Sequence, residues 1–337
     1  MTKRERVIKA VNHIETDFVP YNISLTQQEY DKVASYLGDP DFLKKIGNHI
    51  DSVYYDGYLA EITPGSGYWK DDFGVIWNRN GADKDIGVID GVLINEPSID
   101  SYKFPLVDEK KIRREYEALM NNKKDTFKFG SIGFTLFERA WTIRGMENLL
   151  TDMVLESVFV EKLLDAITEY NLKIIDIGME YDIDGFHMGD DWGQQKGLIM
   201  GPSYWRRYIK PRLARMFERI KSHGKIISVH SCGDIQEIFP DLIEIGLDIY
   251  QTFQPEIYDI KKIKKEYGNY LTFWGGISTQ RLLPFATPDE IKKVTLETIS
   301  IMGKNGGYIA APTHSVPGDV PPENIVALID VLQHGQG

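Results

Sequence analysis

From about residue 125 onward, short apolar runs alternate with long amphipathic ones, and this alternation restricts the fold more than any other feature. The candidate strands are 127–132, 184–188, 225–230, 247–252, 271–274 and 307–311, and two more upstream, 19–23 and 51–55, bring the total to eight. The stretch 203–222 reads as a helix with Trp205, Tyr208, Ile209, Leu213, Met216, Phe217 and Ile220 on one face, and Gly224 is placed to end it. Thr287-Pro288-Asp289-Glu290 reads as a capping box with proline at the first helical position, and another helix follows Pro321-Pro322-Glu323. Strands alternating with helices mean parallel β/α units, and eight of them suit an α/β (β/α)8 TIM barrel. The doubly wound alternative carries a glycine-rich fingerprint after its first strand, which this chain lacks. The expectation is one barrel domain over residues 1–337, with 57–105, rich in Gly, Asp and aromatics, inserted over the barrel mouth.

Composition narrows the function. With 42% hydrophobic and 26% charged residues, the chain can bury a large core. A formal net charge of −11 argues against nucleic acid or an anionic membrane as the main partner. No apolar run is long enough to span a bilayer. The opening residues read as a helix capped by Thr2 and Glu5 rather than as a signal peptide. The single cysteine, Cys232, forms no intrachain disulfide. A cytoplasmic protein is expected.

Active sites of such barrels lie at the C-terminal ends of the strands. The fifth candidate strand runs out into His230-Ser231-Cys232-Gly233, the eighth into Pro312-Thr313-His314-Ser315, and the fourth into Gly189-Asp190-Asp191-Trp192. His230, Cys232 and His314 would give zinc three protein ligands and an open fourth position, with Asp190 or Asp191 as a fourth ligand or as supporting partners. The plainer alternatives are that His230 and Cys232 pack the rim and that one aspartate caps the next helix. The basic run at 261–265 reads as a solvated helix face. Tyr54, Tyr55, Tyr58, Tyr68, Trp69 and Trp77 could line a pocket for a flat substrate or form a small core within the insertion.

Several segments resemble the uroporphyrinogen decarboxylase superfamily. They are the opening MTKRERVIKAVNHIETDFVP, Arg144-Gly-Met-Glu147-Asn-Leu-Leu, Gly201-Pro-Ser-Tyr-Trp-Arg206, His230-Ser-Cys-Gly233, Gly275-Gly-Ile-Ser278 and Val320-Pro-Pro-Glu-Asn324, in the family's order over nearly the whole chain. The fold implied is again the barrel. Two activities are known in that superfamily. The decarboxylases carry an arginine-rich R-Q-A-G-R element after the first strand, which holds the substrate's carboxylates; the equivalent stretch here, 21–30, contains no arginine. The other branch consists of zinc-dependent methyltransferases that work with a separate corrinoid protein. Their H-x-C element is similar to His230 and Cys232, and their third ligand, often Cys, aligns with His314.

That difference bears on direction. One thiolate and two imidazoles leave zinc with a net charge of about +1, against about 0 with two thiolates, which favours polarising a leaving heteroatom over activating a bound thiol. The resemblance therefore implies demethylation of a methyl ether, such as an aryl one, or less readily a methylamine, with the methyl group passing to the cob(I)amide of a partner corrinoid protein. Asp190 and Asp191 are the candidate catalytic carboxylates; Glu138, Arg144, His187, Trp192 and Gln251 are the candidate substrate contacts, with an ion pair between structural residues as the equal alternative for Glu138 and Arg144. The alternatives are a cofactor-free decarboxylase, a methylcobamide:thiol methyltransferase, and a non-catalytic carrier barrel.

Overall fold

The computed structural model describes residues 1–53, 59–81 and 87–336. A parallel sheet of seven strands runs in the order Ile50–Ser52, Phe127–Ile132, Gly185–Gly189, Ile226–His230, Ile249–Phe253, Thr272–Ile277 and Tyr308–Pro312. Spatial order follows chain order, as successive β/α units require. The expected strand at 19–23 is reduced to a parallel bridge between Tyr21 and Ala310. It still closes the barrel: Asn22 N donates to Ala310 O on one side, and His49 N donates to Tyr21 O on the other, at 3.0 and 3.1 Å. The expected strand 51–55 begins at Ile50; Tyr54 and Tyr55, like Tyr58, lie outside the described residues.

Helix Lys3–Val11, with the Thr2/Glu5 capping box in place, covers one end of the barrel. Its Val7 and Val11 pack with Ile50, Phe127, Phe129, Ile249, Trp274 and Ile309, so an apolar cluster fills this end. The other end collects the segments that follow the strands. The Thr287/Glu290 capping box opens helix Pro288–Met302 as expected. The stretch 203–222 is a helix interrupted by a π turn at Trp205–Ile209. Pro211 accounts for it, since proline has no N–H and its ring clashes with the carbonyl four residues back.

Within the expected insertion, Ala60–Glu61, Tyr68–Lys70, Ile76–Asn78 and Val88–Ile89 form an antiparallel sheet. It is fastened to the segment after strand Phe127–Ile132. Trp77 is buried and stacks on Phe134 at 5.4 Å, and Arg139 makes a buried ion pair with Asp71 at 2.6 Å while lying 4.3 Å from the Phe73 ring. Arg144 takes the structural of its two expected roles, as a clamp. It is buried, pairs with Asp152 at 2.7 Å, and donates to the carbonyls of Ile94 and Asn95. No helix among the described residues is long and apolar enough to cross a membrane.

Candidate metal centre

Strand alternation sorts the residues of Ile226–His230. Ile227 and Val229 enter the main hydrophobic core, which leaves Ser228 and His230 to the opposite face. Gln251 stands across from His230 on the next strand, and its Oε1 contacts imidazole Nδ1. An amide oxygen only accepts, so it keeps the proton on Nδ1 and leaves the Nε2 lone pair free. That Nε2 lies 3.5 Å from Cys232 Sγ.

The turn that carries Cys232 is fixed by backbone contacts. Ser231 N donates to Gln251 O at 2.6 Å, Cys232 N to Asp191 Oδ1 at 2.7 Å, and Gly233 N to Gln254 Oε1 at 2.9 Å. Gly233 has φ +79°, and a Cβ there would lie 2.2 Å from the carbonyl carbon of Gly193. The hairpin of Gly193–Gln194 and Gly197–Leu198 therefore rests directly on the turn.

His314 arrives from the loop after strand Tyr308–Pro312, and its ring centroid is 5.9 Å from that of His230. One donor atom each from His230, Cys232 and His314 lies within 4.8 Å of the other two. A tetrahedral zinc with Zn–S of about 2.3 Å and Zn–N of about 2.0 Å has an S···N edge of about 3.5 Å. The His230–Cys232 pair already has that separation, and the thiolate and imidazole donors suit the ion. His314 is exposed at the open side.

The two aspartates face different ways, as neighbours in an extended segment must. Asp190 is buried and accepts from the backbone N–H groups of Leu136, Phe137 and Glu138 at 3.2, 2.9 and 2.8 Å, and from Trp192 Nε1 at 2.6 Å. It caps helix Phe137–Arg144, so the expectation of a catalytic role is replaced by a structural one. Burial pushes its carboxyl up to about 6 against the pull of those bonds. Trp192 is likewise fully buried, packs edge-on to Trp205, and forms no wall of an aryl pocket. Asp191 stays at the site, with Oδ1 3.4 Å from His230 Nε2. Burial disfavours the His230 imidazolium, but hydrogen bonds and negative charge from Asp191 and Cys232 outweigh it and hold the pKa well above the usual value when no metal competes.

Glu138, half-buried next to these groups, has its carboxyl pushed well above the ordinary range by burial and then by the charges of Asp191 and Asp190. His187 bonds Ser228 Oγ through Nδ1 at 2.9 Å and lies against Trp274, 5.6 Å between ring centres. Burial, then the nearby His230, push it down to about 3, so it is neutral at physiological pH. The structure thus gathers His230, Cys232, His314, Asp191, Glu138, Gln251 and His187, and assigns Asp190, Arg144 and Trp192 to the scaffold. Trp274, which pairs in register with Gln251, has no mark in the sequence beyond its place in an apolar run.

The model of the family Uroporphyrinogen decarboxylase (URO-D) matches residues 126–334. The uroporphyrinogen decarboxylase of Chloroherpeton thalassium is 22% identical over 180 residues, 52% of this chain; the match spans 48%, about half, of that protein's length. Among solved structures, a methyltransferase from Methanosarcina mazei superposes with a TM-score of 0.75 at 16% identity, covering 99% of both chains, and this likeness is one of fold. The strand order, the closing bridge at Tyr21 and the family match agree, and the chain belongs to the uroporphyrinogen decarboxylase family.

Proposed function

We propose that this chain is a zinc-dependent methyltransferase that moves a methyl group from a methylated small molecule, a methyl ether first, to the cob(I)amide of a partner corrinoid protein. The convergence of His230, Cys232 and His314 carries this reading. A decarboxylase needs no such donor set, and the arginine-free stretch 21–30 offers no cations for a porphyrinogen's carboxylates. The fold likeness to a protein named a methyltransferase is consistent with it.

His230, Cys232 and His314 would hold the ion, which when bound supplies Lewis acidity toward the leaving heteroatom. Gln251 holds the His230 proton on Nδ1, and Asp191 holds the backbone N–H of Cys232, so both donors are preorganised. In the transfer the C–O bond of the ether breaks, the methyl carbon passes to the partner's acceptor, and the alkoxide left behind takes a proton. Glu138, whose carboxyl is pushed well above the ordinary range by burial and then by the charges of Asp191 and Asp190, is the donor of that proton. Purified wild type should contain about one zinc per chain and Cys232→Ser much less. Wild type should also methylate free cob(I)alamin from methoxyarenes or methylamines. A metal-free wild type, inert with every such donor, would sink the reading.

A further inference from the structure

The third donor sits on a loop, and that loop is held from both flanks. On the barrel side, Thr252 Oγ1 donates to Thr313 O, and Thr279 N and Oγ1 meet Thr313 Oγ1 at 3.2 and 2.9 Å. On the far side, the segment that follows Tyr21 runs along the loop. Val316 N donates to Ser24 O at 2.9 Å, Thr26 N to Val316 O at 3.1 Å, and Ser315 Oγ to Ser24 Oγ at 3.1 Å. Helix Gln27–Leu37 then contributes Lys32, whose Nζ reaches Gly318 O at 2.9 Å, Val320 O, and Glu29 Oε2 at 2.8 Å. Two carbonyls thus accept from the ammonium, and the Glu29 carboxylate lies within ion-pair distance of it. Glu29 is fully buried, so this is no solvated surface pair of helix neighbours; the carboxylate anchors the lysine from beneath. The loop lies so close to the helix that a Cβ on Gly318 would be 2.3 Å from the Gln28 side chain.

We propose that Lys32 is a positioning residue for the metal centre, clamping the loop through Gly318 and Val320 so that His314 is presented to His230 and Cys232 before any metal arrives. This rests on the reading of those three residues as metal donors. The test uses the metal alone. In Glu29→Gln/Lys32→Met, which removes both charges together and leaves no buried carboxylate unpaired, zinc affinity measured against a competing chelator should fall about tenfold or more. The visible spectrum of the cobalt(II)-loaded double variant should move toward that of His314→Ala, with the near-ultraviolet thiolate band from Cys232 retained. A folded double variant with wild-type zinc affinity and spectrum overturns the proposal.

A second measurement needs no variant. In metal-free wild type the Val316 amide should already exchange slowly with solvent; fast exchange that slows only on adding zinc overturns the clamp. Wild type that takes up no metal at all defeats the proposed function instead, and the exchange measurement still decides the clamp.

Discussion

Gln251 meets His230 across adjacent strands, its Oε1 against imidazole Nδ1, and the register that pairs them is a property of the sheet rather than of a loop. The tautomer of a proposed metal donor is thereby set by strand alignment. Removing the acceptor in Gln251→Leu should weaken zinc binding about 10- to 100-fold. Gln251→Glu keeps an acceptor of the same length and should retain affinity. Competition titration checks both, and equal affinity in the leucine variant and wild type would show that the amide is idle.

Gly233→Ala should destabilise the protein by at least about 2 kcal/mol, because φ +79° strains any side chain and the new Cβ would fall 2.2 Å from Gly193 backbone. Gly246→Ala is the control. It has φ +99° but only Lys221 Cε nearby, at 3.6 Å, so strain acts there without a clash. Urea unfolding of the two variants separates the effects; a Gly233 variant no weaker than the Gly246 one would mean that the hairpin can retreat.

The barrel was legible because each strand from 127 onward is an apolar run between amphipathic helices, and the structure keeps all of those strands. Their ends were less legible. Thr272–Ile277 extends beyond the run ending at Trp274 because Gly275 and Gly276 carry no hydropathic signal. That His230, Cys232 and His314 come together was readable from position, since each lies at or just past the end of a strand. The roles of their neighbours were not. Asp190 and Asp191 look alike in sequence, and only the alternation of the segment sends one to cap a helix and the other to the site. Arg144 looks like a substrate cation until Asp152 and two carbonyls are seen to use it. Nothing in the spacing of Glu29 and Lys32 marks them, and what distinguishes them is a loop far along the chain, Lys32 to Gly318 being 286 residues apart.

The insertion depends on the Arg139–Asp71 pair, in which both side chains are almost wholly buried. Arg139→Leu should cost about 3–5 kcal/mol by leaving Asp71 charged and unpaired. Asp71 also accepts from Val75 N and Trp77 Nε1, so the loss should appear as early protease cleavage within 60–90 as well as in urea unfolding. Arg139→Leu/Asp71→Asn should recover a substantial part. A double variant as weak as the single one would show that the charge left behind is not the cause.

His49 supplies a pH test away from the metal centre. It is 1% exposed, lies against Phe18 and Tyr21 at 5.6 and 4.7 Å, and neither ring nitrogen has a hydrogen-bond partner. Burial first, then the charges of Arg6 and Lys3, push its pKa down to about 4. The unfolded chain takes up this proton at about pH 6.5, whereas the folded chain does so only near pH 4. Between those values the unfolded state binds more protons, so stability falls as pH falls. The contribution of His49 is fully present above about pH 6.5 and should shrink by about 2 kcal/mol between pH 7 and 5. Asp190 acts in the opposite sense, since its raised pKa makes the folded state the better proton binder below pH 6. Comparison with His49→Phe isolates the histidine, because Asp190 is common to both proteins. Urea midpoints at the two pH values should show a shallower acid loss in the variant, and identical losses would mean that His49 gains its proton without leaving the fold.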